Sequence, residues 1–78
     1  MVSVREVLNR IKWSGDLAAV EVWFVHRGAP NDIKMITGGN ICRVGVSFLE
    51  VDGAMIPHHR IFRIVYQGRV VFERPAKK

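Results

Sequence analysis

The first apolar pattern along the chain has helical spacing. Val4, Val7, Leu8 and Ile11 recur at steps of three and four and share one face of a helix, with Arg5, Asn9 and Lys12 largely off it. Ser3 and Glu6 hold capping-box positions. The Ser3 hydroxyl can accept from the Glu6 backbone N–H, and the Glu6 carboxylate can reach back. Val2 and Val7 occupy the two positions of a hydrophobic staple. Gly15 marks the exit from the helix. A helix of about nine residues is marginal alone in water, so its stripe must dock on the strands later in the chain. Trp13, near its end, is expected to plug the helix onto that neighbour.

From Leu17 onward the pattern has the period of strands. Over residues 17–27 the alternation sends Val20, Val22 and Phe24 one way and Glu21, Trp23 and Val25 the other. Residues 28–32 read as a loop, 33–37 as a short strand and 37–40 as a turn. Residues 41–51 read as one long strand, whose interior Gly45 suggests a bulge or a close backbone approach. Asp52-Gly53 is a turn signal.

Strands over 60–66 and 69–74 flank Gln67-Gly68, which reads as a two-residue hairpin loop. Counting outward from that loop opposes Tyr66 to Arg69, Val65 to Val70, Ile64 to Val71 and Arg63 to Phe72. This register turns Phe62, Ile64, Tyr66 and Val71 towards the core. It also sets Arg63 beside Phe72, with Arg74 next along, as a platform of cations on an aromatic ring.

The expected fold class is α+β. A short N-terminal helix packs on a small, twisted, mainly antiparallel sheet of about five strands ending in a β-hairpin, with a partial barrel as one form of closure. The 78 residues allow one domain over 1–78, with 75–78 as a flexible basic tail.

Composition narrows the function. A hydrophobic share of 49% excludes a wholly disordered chain. Lys plus Arg number 12 against 7 Asp plus Glu, a formal net charge of +5 that favours polyanionic partners. Most of the basic residues are arginine, whose planar fork grips phosphate at two points. The lone Cys42 cannot form an internal disulfide, which points to a cytoplasmic setting. In its apolar strand pattern it reads as a buried structural thiol. No apolar run reaches the roughly 18 residues of a membrane span. Metal-ligand spacings, Gly-rich phosphate loops and nucleophile elbows are missing, so neither metal nor cofactor is expected.

The candidate chemistry gathers where histidine meets arginine. His26-Arg27 ends the first strand, and His58-His59-Arg60 follows Pro57 at the start of the hairpin. Arginine supplies fixed charge and paired donors. Histidine supplies a donor, or an acid or base poised near neutral pH. Pro57 sets its own φ and biases Ile56 towards an extended conformation, directing the exit of the histidines. Neighbours in a strand point to opposite faces, so His59 is expected to serve the site and His58 to face away.

Four segments then carry a resemblance: Val7-Leu8-Asn9-Arg10-Ile11-Lys12-Trp13, His26-Arg27-Gly28-Ala29-Pro30, Ile56-Pro57-His58-His59-Arg60-Ile61 and Gly68-Arg69-Val70-Val71-Phe72-Glu73-Arg74. In that order they resemble a family of small, mostly archaeal proteins named for an RNA cyclic-group-end-recognition domain. The resemblance covers nearly the whole chain. It is most specific at Ile-Pro-x-His-Arg-Ile followed by a strand, a Gly turn and an apolar strand ending in Arg.

The resemblance implies binding of RNA ends that carry a 2′,3′-cyclic phosphate. The family's His-Arg pair falls on His59 and Arg60, and its loop motif on His26, Arg27 and Gly28. Where the family often has Trp in the last strand, this chain has Phe72. The expected phosphate- and RNA-binding residues are therefore Arg27, His59, Arg60, Arg63, Phe72 and Arg74, with RNA or another phosphate-bearing ligand as partner. Two other readings stay open. One is a metal-independent phosphodiesterase acting on RNA ends, with His26 and His59 as acid and base. The other is a structural or protein-interaction domain that pairs through edge strands. The sequence sets no oligomeric state.

Overall fold

A computed structural model describes residues 3–75. The staple residue Val2 and the tail residues 76–78 lie outside the described residues. The helix forms on its stripe as α1, Val4–Ser14. The Ser3 hydroxyl accepts from the Glu6 N–H at 3.2 Å, and the Gly15 N–H closes on the Ile11 carbonyl at 2.9 Å. Val4, Val7, Leu8 and Ile11 are all buried. Trp13 is 88% exposed, against the expectation that it plugs the helix. Two positions past Ile11, it has rotated by about 200° and points away from the stripe.

The strands are β1 Val20–Val25, β2 Ile33–Thr37, β3 Ile41–Val44, β4 Phe48–Val51, β5 Ala54–Pro57, β6 Ile61–Tyr66 and β7 Arg69–Glu73. They form two antiparallel sheets of four and three strands, in the orders β2-β1-β6-β7 and β3-β4-β5. The single sheet of about five strands is thus corrected in the segment 41–57. The Gly45 N–H donates to the Phe48 carbonyl at 2.9 Å, and a Cβ on Gly45 would stand 2.7 Å from that oxygen. The chain reverses there, so the expected long strand splits into β3 and β4. Residues after the Asp52-Gly53 turn then pair with β4 as β5. The first strand is also shorter than expected. Asp16 caps a single 3₁₀ turn over Leu17–Ala19, its carboxylate accepting from the Ala18 N–H at 3.0 Å.

Among the described residues the two sheets do not join into a barrel. One core cluster draws on both of them and on α1, through residues such as Leu8, Val22, Leu49, Ile56 and Ile64. The helix touches β7, an edge of the larger sheet, and β3, an edge of the smaller. It fills the gap that strand pairing would otherwise close. Cys42, on edge strand β3, is exposed and not the buried thiol expected. Among the described residues no helix is long and apolar enough to cross a membrane.

Two bulges reset the faces of the hairpin. Between β1 and β6, Trp23 opposes Arg63 while Phe24 opposes Ile61, so Phe62 is the extra residue. Between β6 and β7, Ile64 opposes Phe72 while Val65 opposes Val70, so Val71 is the extra residue. Ile61 and Ile64 join the core cluster, whereas Phe62, though buried, lies outside it.

Candidate functional site

The chain passes from one sheet to the other at two corners, each a single 3₁₀ turn: Gly38–Asn40 between β2 and β3, and His58–Arg60 between β5 and β6. The second corner carries the histidine–arginine run. Pro57 leads into it at φ −60°, ψ 135°, and the Ile61 N–H closes the turn on the His58 carbonyl. The His58 N–H donates to the Ser47 carbonyl at 2.9 Å, tying the corner to the β3–β4 turn.

Arg74, just past β7, holds the same corner from the other side. Its Nε donates to the Ile61 carbonyl at 2.8 Å and its Nη2 to the His58 carbonyl at 2.6 Å. Its own N–H donates to the Phe62 carbonyl at 2.9 Å. Its guanidinium lies 5.6 Å from the centroid of the Phe72 ring.

Beside the corner opens a cleft of about 540 Å³. Arg27 reaches it from the loop after β1, His59 and Arg60 from the corner, and Arg74 from the end of β7, while the buried Phe62 forms part of the floor. Among the described residues no carboxylate lines this cleft. Among them, too, Arg27, His59 and Arg60 make no hydrogen bond or ion pair, so their donors are uncommitted. The bulge that displaces Phe62 from the core is what brings an apolar surface under these cations.

The remaining expected residues are placed differently. Arg63 opposes Glu73 and not Phe72, and its Nε donates to the Glu73 carboxylate at 2.8 Å. Its guanidinium sits 5.8 Å from the Trp23 ring centroid and 5.6 Å from that of Phe62. It does not line the cleft. The expected Arg63–Phe72 platform is therefore replaced by Arg74 over Phe72. The reason is the bulge at Val71, which shifts β7 by one residue and exchanges its faces.

Phe72 lines a second groove of about 820 Å³, together with Arg5 on α1, Val46 and Val71, and this groove shares His59 and Arg74 with the cleft. His58 lines this groove too, although it does not line the cleft. Successive residues of a 3₁₀ turn fan out by about 120°, not the 180° of a strand, so both histidines reach one side. Burial pushes the His58 pKa below its ordinary value of 6.5; the Phe48 backbone pulls it up, and the charges of Arg5 and Arg74 push it down. Its Nε2 is buried with no hydrogen-bond partner among the described residues, which also disfavours the charged ring. Sequence reasoning missed His58 because it treated the corner as a strand. It missed Arg5 because nothing local signals that the first turn of α1 lies beside residues 58–59.

His26 lines a third cavity, of about 250 Å³, together with Lys34, Pro57 and Arg60, and its ring meets Phe24 edge-on at 6.1 Å. His26 and His59 thus line different cavities, and Arg60 lines both.

The model of the MJ1316 RNA cyclic group end recognition domain matches residues 1–74. A UPF0248 protein of Pyrobaculum islandicum is 34% identical over 76 residues, covering 91% of this chain and 88% of its own length. One from Methanococcus maripaludis strain C7 is 36% identical over 75 residues, covering 91% and 97%. One from Archaeoglobus fulgidus is 32% identical over 71 residues, covering 87% and all of its own length. No solved structure matches the chain. The chain belongs to the RNA cyclic group end recognition family.

Proposed function

From this membership we propose that the protein is an RNA-binding module that grips a phosphate-bearing RNA end, with a 2′,3′-cyclic phosphate as the preferred group. The observation that carries the reading is the cleft beside the second corner: three guanidinium groups and an imidazole converge with no carboxylate among them. Arg27 and Arg60 hold the non-bridging phosphate oxygens with their uncommitted donors. His59 adds a hydrogen bond. Arg74, with Nε and Nη2 already donating to carbonyls, contributes fixed charge and keeps the corner in place. Phe62 supplies the apolar surface against which a sugar packs. Arg63 and Phe72 lie outside this cleft; Arg63 is committed to Glu73.

A cleft open to one strand end suits single-stranded RNA, whose terminal groups are accessible. Binding is favoured over acid–base catalysis by His26 and His59 because these two histidines line different cavities.

Titration of short RNAs that differ only at the 3′ end tests the reading. RNA ending in a cyclic phosphate should bind at least about tenfold tighter than the same RNA ending in hydroxyls, since hydrogen bonds to charged groups are worth roughly 1.5–3 kcal/mol. Equal affinity for the two overturns end recognition. Binding should also weaken steeply as salt rises.

A further inference from the structure

We infer that the groove lined by Val46, His58, His59, Val71 and Phe72 completes a nucleoside subsite, taking the base of the nucleotide whose sugar and phosphate are held in the neighbouring cleft. The inference rests on the phosphate-end reading and extends it to the rest of the terminal nucleotide.

Continuity is the first argument. His59 and Arg74 are walls of both cavities, so a ligand anchored by its phosphate on one side of them has its remaining atoms directed into the other. The change of chemistry across that shared wall is the second. The cleft is dominated by arginines. The groove offers valines and the flat rings of two histidines and a phenylalanine, with a single further guanidinium, that of Arg5. A nucleotide has the same polarity along its length, anionic at the phosphate and flat and largely apolar at the base. The groove's volume of about 820 Å³ falls within the range of small-molecule sites.

Exposure is the third argument. Val46 is 75% and Val71 42% exposed, so both present apolar surface to solvent. Val71 is the bulge residue of β7, turned out of the ladder towards this groove. Glu73, the carboxylate that lines the groove, is paired with Arg63 at 2.8 Å, which offsets its charge.

Competition against a labelled RNA ending in a cyclic phosphate tests the inference on the full chain with three small ligands: a nucleoside 2′,3′-cyclic phosphate, 1-O-methylribose 2′,3′-cyclic phosphate and the free nucleoside. The nucleotide should compete about tenfold better than the methylriboside, the lower part of what base stacking contributes. The double variant Val46→Ser, Val71→Ser, at two exposed positions, should erase that advantage while leaving methylriboside binding unchanged. If the two cyclic phosphates compete equally, the nucleoside subsite is overturned and the phosphate reading stands. If the free nucleoside competes as well as the nucleotide, the phosphate reading is overturned and the linked geometry with it. If the base advantage survives the double variant, the base lies elsewhere and the assignment to this groove is overturned.

Discussion

The two corners that join the sheets share a backbone plan and differ in nearly everything else. Each is one 3₁₀ turn closed by the N–H of a following isoleucine, Ile41 on the Gly38 carbonyl and Ile61 on the His58 carbonyl. Those isoleucines have nearly the same conformation, φ −79°, ψ 119° and φ −79°, ψ 123°. The first corner is Gly-Gly-Asn and the second His-His-Arg. At the first, Gly38 is buried against the Leu17 carbonyl so closely that a Cβ there would collide with it. At the second, no residue is buried, and the turn is held from outside by Arg74 and Ser47. The turn itself therefore does not call for histidine or arginine. The first corner is shaped by packing. The second is held by hydrogen bonds at its backbone, which leaves its side chains available for a ligand.

The sharpest way to break this contrast is at Gly38. Gly38→Ala should destabilise by about 3 kcal/mol or more, because the obstruction is backbone and cannot step aside. Gly39→Ala, one residue on with nothing within 4 Å of its added carbon, should be neutral or stabilise by about 0.5 kcal/mol. Similar denaturation midpoints for the two variants would refute the packing account of the first corner.

Arg74→Ala should cost about 2 kcal/mol, since two charge-assisted hydrogen bonds to the second corner are lost. It should also weaken RNA-end binding; a variant of native stability would show that the corner holds itself. Arg60→Ala should leave unfolding unchanged and reduce affinity for a phosphate-bearing RNA end about tenfold. Arg69→Ala, exposed and outside both the cleft and the groove, should do much less. Equal losses in the two variants would mean diffuse charge in place of a defined cleft.

The smallest effect expected is a pH dependence from His58. Its folded pKa lies below 6.5, so the unfolded chain binds the proton more readily. Stability should then fall as pH drops below about 6.5 and level off once the folded pKa is passed. The fall should be small, because the Phe48 backbone partly offsets the effects of burial and of the two arginines. Unfolding midpoints between pH 7.5 and 5.5 should show it in the native protein and not in His58→Gln; identical slopes would remove His58 as the cause.

Much of this was legible from residue order because it depends on short-range geometry. The stripe of α1, its Ser3 cap, the inward face of β1 and the Gln67-Gly68 loop each follow from positions a few residues apart. The concentration of cations after Pro57 was legible for the same reason, as was the family from the segments that carry it. The features that escaped depend on partners far along the chain. The reversal at Gly45 looks locally like a bulge in one strand. The bulges at Phe62 and Val71 are set by what β1 and β6 can bury, and they decide that Arg63 meets Glu73 and that Phe72 lies under Arg74. The turn at His58–Arg60 exists because β5 and β6 belong to different sheets, which no local period announces. Arg27, Arg60 and Arg74 come from three separate parts of the sequence and meet in one cleft because the larger sheet sets β1, β6 and β7 side by side. The sequence by itself determined which elements form and where the positive charge is concentrated. Only long-range strand pairing decided which of those charges share a cavity and which are neutralised.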